Sequence, residues 1–178
     1  MPARGVLQGQ QLQPREIASI CYAAGWRDKN LIIAVAVCLA ESQGYIRAYN
    51  DNLAADGETI LSRDVGIFQI NIPANKVGTP EEERLYNPHY NVSRARTLFE
   101  ARGFQPWVAY NTGIALNPAW WRWSEKQSAW VGTGRYVHRA TRGCANFYAL
   151  EMKIASPDDV MLDYRAIPSK PQKPPGSI

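Results

Sequence analysis

Leu31-Ile32-Ile33-Ala34-Val35-Ala36-Val37-Cys38-Leu39-Ala40-Glu41-Ser42-Gln43-Gly44 is the stretch on which the reading of this chain turns. Every residue from Leu31 to Ala40 is apolar, and a carboxylate follows directly. A helix that is apolar on all sides has to be surrounded by protein. This segment is therefore expected to be the central core helix, with Asp28 as its N-cap and Gly44 supplying its C-terminal turn. The run is too short to span a bilayer, so no membrane span is expected. Glu41 lies where the most buried helix meets the surface.

Periodicity places further elements on either side. Gln11 to Ala24 reads as a helix, with Pro14 in its first turn and Ile17, Ile20, Cys21 and Ala24 along one stripe. Asn50 to Ser62 is polar and carries the hairpin signal Asp56-Gly57. Val65 to Ile72 is short, apolar and β-branched, which predicts a small antiparallel sheet or hairpin. Asn87-Pro88 starts a helix, with Val92, Ala95, Leu98 and Phe99 as its buried stripe and Gly103 as its end. Pro106 to Asn111 looks like another helix start, and Trp120 to Trp130 is read as holding one short helix. Arg135 to Ile154 is the last long helix. Val137, Ala140, Cys144 and Phe147 line one face, and Arg135, His138, Arg139 and Arg142 another. The fold class is thus α+β and mainly α, with residues 1–155 as one domain. Residues 156–178 form an extended tail marked by Pro168, Pro171, Pro174 and Pro175.

Composition narrows the function classes. A chain of 178 residues suits a single domain, and 46% hydrophobic with 20% charged residues is a globular balance. The net charge of +4 favours an anionic partner without choosing one. No nucleic-acid motif accompanies it, so nucleic acid is not the expected ligand. Three cysteines, Cys21, Cys38 and Cys144, make no disulfide framework and read as small core residues. His89 and His138 lack partners at metal-ligand spacing, so neither a metal nor any other cofactor is expected. The first residues carry no secretory signal. The expected place of synthesis is a cytosol, with any export needing outside help.

Glu41 has the attributes of a general acid. The apolar run before it disfavours its anion by desolvation, and the negative end of its helix acts in the same direction. Alone, it would read as an exposed helix-end carboxylate. The neighbouring pattern reverses that reading. Glu41-Ser42-Gln43-Gly44-Tyr45 is followed by Ala48, Asn50, Asn52 and Asp56-Gly57, then by Ser62-Arg63-Asp64-Val65-Gly66-Ile67-Phe68-Gln69-Ile70-Asn71. This stretch resembles the catalytic half of animal-type lysozymes, where a Glu-Ser pair ends the central helix and a Ser-x-Asp-x-Gly-Ile-x-Gln-Ile-Asn strand follows. Gly66 to Ile70 also resembles the Gly-Leu-Met-Gln motif of soluble lytic transglycosylases. Asn87-Pro88 with Asn91-Val92 is similar to that family's Asn-Pro…Asn-Ile helix, and Ala109-Tyr110-Asn111-Thr112-Gly113 to its Ala-Tyr-Asn-x-Gly motif.

The resemblance implies a lysozyme-like fold and a peptidoglycan substrate, cut between N-acetylmuramic acid and N-acetylglucosamine. It assigns Glu41 as the acid and Asp64 as the second carboxylate, which would stabilise or attack the oxocarbenium ion. It further implies a substrate groove involving Ser62, Gln69, Asn71, Trp107, Tyr110 and Asn111, with the Tyr110 hydroxyl contacting the catalytic Glu. The chain lacks the disulfides of animal lysozymes, and Glu41 and Asp64 lie further apart in sequence than in that pattern. Asp64 is therefore either catalytic or a strand-end carboxylate, and hydrolysis and transglycosylation both stay open. Trp107, Trp120, Trp121 and Trp123 follow the groove motif, and at least one is expected to stack on sugar. The compact size and motif mix resemble a bacteriophage protein. It would be an endolysin or a virion component, with the proline-rich tail docking to other virion proteins. The rival readings are a non-catalytic wall-binding or tail-structural module and, from the basic stripe, a nucleic-acid binder.

Overall fold

The computed structural model of the chain describes residues 5–116, 120–134 and 136–153. The proline-rich tail at 156–178, and with it the domain boundary placed at 155, lies outside the described residues.

The apolar stretch forms helix α2, Asp28–Ser42, and every residue from Leu31 to Leu39 is buried. Helix α1, Pro14–Ala23, covers one side of it through Ile17, Ala18 and Cys21. Helix α6, Tyr136–Leu150, packs against both through Val137, Ala140, Cys144 and Phe147. Asp28 is not the N-cap but the first helical residue. Arg27 takes the extended N-cap position. Its guanidinium bonds the carbonyls of Tyr22 at 2.5 Å and Trp26 at 2.8 Å and lies 3.6 Å from the Tyr22 ring centroid. That side chain thereby pins the α1–α2 connection.

The C-terminal end of α2 is held more tightly. Gln43 adopts a left-handed conformation at φ 57° and returns its N–H to the Leu39 carbonyl. Ser42, fully buried, donates to the Cys38 carbonyl at 3.0 Å and accepts from the Gly44 N–H at 3.1 Å. Glu41 therefore sits on a backbone fixed from both sides, rather than on a fraying helix end.

The segment after α2 supplies three strands of a four-stranded antiparallel sheet in the order β1-β2-β3-β4, and the N-terminal residues supply the first. Its strands are β1 (Gly5–Val6), β2 (Tyr49–Leu53), β3 (Ile60–Val65) and β4 (Ile70–Pro73). The β2–β3 turn follows its sequence signal, with the Asp56 carboxylate accepting the N–H groups of Glu58 and Thr59. A bulge at Asn52/Leu53 absorbs the hairpin's irregular length, so that Asn52 faces Ser62 and Asn50 faces Asp64. Across the next ladder, Asp64 faces Asn71.

The segment Val65 to Ile72, read as part of a small antiparallel sheet or hairpin, joins β3 to β4 through a turn at residues 66–69. Two conformations shape the turn, Gly66 at φ 75° and Gln69 at φ 48°. Buried Asn91 organises the turn: its Oδ1 accepts the Phe68 N–H, and its Nδ2 donates to the carbonyls of Val65 and Leu85, each at 2.9 Å.

Beyond the sheet come α3 (Pro80–Leu85), α4 (Pro88–Arg102) and the short α5 (Val108–Asn111). Asn87 caps α4 as its sequence predicts, accepting from the N–H groups of His89 and Tyr90. The segment Trp120 to Trp130 is not a helix. It forms an antiparallel hairpin of β5 (Trp120–Ser124) and β6 (Ala129–Gly134). Tryptophan and valine favour strands, and the polar residues 125–128 supply the turn, so strand propensity outweighs the short-helix reading. The basic stripe on α6 is not continuous either, because His138 is buried. Among the described residues, no helix is long and apolar enough to cross a membrane.

Candidate active site

Strand alternation brings five polar side chains to one face of the sheet. Asn50 and Asn52 come from β2, Ser62 and Asp64 from β3, and Asn71 from β4. Asp64 is their focus. Its Oδ2 accepts from Asn52 Nδ2 at 3.0 Å and Asn50 Nδ2 at 3.4 Å, and its Oδ1 accepts from Asn71 Nδ2 at 2.8 Å. The Ser62 hydroxyl oxygen accepts from both Asn52, at 3.1 Å, and Asn71, at 2.9 Å. Amide donors converging on one carboxylate are complementary to negative charge and fix the orientation of the group. Asp64 thus points to the polar face of the sheet, held by neighbours on both flanking strands.

Glu41 approaches from the helical side and is half-buried. Burial raises its pKa above the ordinary value, the Ala109 N–H opposes that shift, and the negative charge of Asp64 reinforces it. The charge of Asp64 thus acts on Glu41 from a different layer of the fold, as the smallest of the three influences. The Ala109 N–H donates to Glu41 Oε1 at 3.3 Å. It comes from α5, which Trp107 anchors by donating its indole N–H to the Phe68 carbonyl at 2.8 Å. One carboxyl that resists ionisation and a second held by donors are the two kinds of group that acid-assisted cleavage of an acetal can use.

The other expected groove residues take different places. Trp107 is only 3% exposed and belongs to the core, edge-on to Phe68 and close to Phe104. It supports α5 instead of lining a groove. The contact expected of the Tyr110 hydroxyl with Glu41 is made by the backbone N–H of Ala109, and the Tyr110 ring packs on Phe104 at 5.2 Å. The Asn111 amide donates to the Gln105 carbonyl at 2.8 Å, closing the loop before α5. The Gln69 amide donates to the carbonyls of Gly66 and Ala48, so its nitrogen shapes the β3–β4 turn. Ser62 and Asn71 do join Asp64. Trp120, Trp121 and Trp123 fall on the β5–β6 hairpin.

Three contributors were not assigned a role from sequence. Asn50 and Asn52 carry a signal, the alternation of polar residues that pairs with Ser62 and Asp64. The Ala109 N–H carries none, since a backbone donor leaves no trace in residue identity. Among the described residues, no group of three or more His, Cys, Asp or Glu side chains is gathered to hold a metal ion.

A core helix ending in a half-buried acid, facing a small sheet with a second carboxylate, defines an α+β lysozyme-like fold. A family model described as "Lysozyme like domain" matches residues 18–109, more than half of the chain. The protein belongs to this family of lysozyme-like domains, of the soluble lytic transglycosylase type. The matched span starts inside α1 and ends at Ala109, taking in both carboxylates. No curated protein and no solved structure gives a significant match. Membership points to a peptidoglycan-acting glycosidase or transglycosylase.

Proposed function

We propose that the protein is a muramidase that cleaves the β-1,4 bond between N-acetylmuramic acid and N-acetylglucosamine, with Glu41 as general acid. The observation that carries this reading is the pair of carboxyls: Glu41, half-buried at the end of the core helix and bonded by the Ala109 N–H, and Asp64 with three amide donors on its oxygens. Glu41 gives its proton to the glycosidic oxygen as the bond from the muramic C1 breaks, and the bonding electrons leave with that oxygen. Positive charge then builds on the muramic ring. Asp64 meets that charge, either as an ion partner or by bonding to C1. Water completes the reaction: Glu41, now ionised, takes one of its protons while the hydroxyl adds to C1, and where Asp64 has bonded to C1 that bond breaks with its electrons returning to the carboxylate.

Hydrolysis is favoured over anhydro-ring closure by the sheet-side network. Intramolecular closure uses the substrate's own 6-hydroxyl and one protein carboxyl. Here a second carboxylate is oriented by Asn50, Asn52 and Asn71. Purified wild type is expected to release soluble fragments with reducing ends from cell-wall preparations, read by mass spectrometry. The Glu41→Gln variant is expected to lose about 100-fold or more of the rate, the usual scale for a missing general acid. Anhydro-muramic ends would overturn the role given to Asp64. Equal, slow release by both proteins would overturn the enzyme reading and favour a wall-binding module.

A further inference from the structure

The sheet has a second face. On the side turned away from Asp64 lies a cavity of about 910 Å³, lined by Tyr49 and Arg63 of the sheet and by Arg47, Arg84, Tyr86 and Asn87. That volume falls in the range of small-ligand sites. Tyr49 and Tyr86 give it flat walls, each with a guanidinium stacked on it: Arg63 lies 4.3 Å from the Tyr49 ring and Arg47 4.3 Å from the Tyr86 ring.

The polar groups of the cavity are not equally engaged. Arg63 is neutralised by Asp51 at 2.6 Å and by Glu82 at 2.9 Å. Arg47 is matched by Glu83 at 2.7 Å. Arg84 is exposed and stacks 4.5 Å from the Tyr90 ring, with no carboxylate partner among the described residues. Asn87 uses its side-chain oxygen to cap α4, and its amide N–H groups have no partner among the described residues. Beside the carboxylates of Glu82 and Glu83, which answer Arg63 and Arg47, Arg84 and the Asn87 amide are donors of the cavity left open to a ligand, one of them a planar cation. A guanidinium seated over a ring, with an amide donor lining the same cavity, suits a carboxylate. The tyrosine walls and the volume call for more than a lone anion. They fit a short peptide with small apolar side chains ahead of its terminal carboxylate.

We propose that this cavity is an accessory site for the peptide stems of peptidoglycan, gripping the terminal carboxylate of a stem through Arg84. The proposal rests on the peptidoglycan reading given above. Stems project from the glycan strands and end in small, carboxylate-bearing residues. A stem of a neighbouring strand held behind the sheet would tether the enzyme to the wall while the front face works on its own strand.

Two measurements test this and separate it from the activity itself. The first is titration of the full chain with a free stem tetrapeptide and with its C-terminal amide, followed by NMR shifts. Saturable shifts at Tyr49, Arg84 and Tyr86 are expected with the acid, and weaker ones with the amide. The second is turnover on stem-bearing wall fragments and on glycan strands stripped of peptide. Arg84→Ala should raise KM about threefold on the stem-bearing substrate, the scale of one exposed charge contact. It should leave kcat, and all kinetics on stripped strands, unchanged. Arg84→Lys should recover part of the loss. Absence of saturable shifts, or equal KM changes on both substrates, would overturn the accessory site. Inactivity of wild type on both substrates would instead overturn the muramidase reading, and the peptide titration would still decide this one.

Discussion

Glu41 is pulled in two directions by its neighbours. Burial and the Asp64 charge favour its protonated form, while the Ala109 N–H favours the anion. The balance is a raised pKa, so the acid stays loaded further toward neutral pH than a free glutamate. Activity should then fall on the alkaline side as pH rises through that raised value. Replacing Asp64 with Asn removes a charge that raises the Glu41 pKa. The alkaline limb of the pH–rate profile should therefore move to lower pH, apart from any drop in rate. An unchanged or upward-shifted limb would show that the two carboxyls are not coupled. Sequence made Glu41 legible because an acid directly after a long apolar run is a conspicuous conflict. Asp64 stayed undecided, since a strand-end carboxylate and a catalytic one look alike in sequence. Trp107, Tyr110 and Asn111 were legible as a motif, but their side chains turned out to build the support that delivers the Ala109 N–H.

Strand β3 carries opposite duties on its two faces. Arg63 looks back to Asp51, Glu82 and Tyr49, and the next residue, Asp64, looks forward to three asparagines. The rear ion pairs are largely shielded from water, with side-chain exposures of 16% for Arg63 and 7% for Glu82. Glu82 is further bound by the Tyr86 hydroxyl and the Gly78 N–H, both at 2.6 Å. Strand β3 is thereby locked to β2 and α3 together. The turn that follows depends on Gly66. A Cβ there would collide with the Asn91 amide and sit 2.5 Å from the Leu85 carbonyl oxygen, at a φ of 75° that side chains disfavour. Gly66→Ala should therefore destabilise the protein by roughly 2–4 kcal/mol, measured by chemical denaturation. A change within a few tenths of a kcal/mol would mean that α4 shifts freely to make room. The apolar pattern of Val65 to Ile72 concealed this turn, because its determinant, Asn91, is supplied from a distant helix. Long-range anchors of this sort leave no periodic mark in the segment they bend.

At the scale of the molecule, one continuous core has two parts. One is the helical stack of α1, α2 and α6. The other is an aromatic cluster in which Trp26 stacks on Phe68 with ring centroids 5.4 Å apart, and Phe99, Phe104 and Trp107 continue the contact. The first was legible from the α2 run and the stripes of α1 and α6. The second was not, because tryptophans after a groove motif suggest sugar stacking as readily as packing. Cys21, Cys38 and Cys144 lie buried in the helical stack as free thiols. Burial raises all three, Cys144 to about 12. A thiol reagent at neutral pH should therefore find them unreactive in the native protein and should titrate three only after denaturation. Rapid native labelling would show that the stack opens. The bulge at Asn52/Leu53 has a consequence of another kind. It separates the tip of the β2–β3 hairpin from the paired residues behind it, so the tip carries no share in aligning Asp64. That makes residues 54–59 a place where foreign peptide sequence can be grafted, giving the protein a new address without retuning its chemistry.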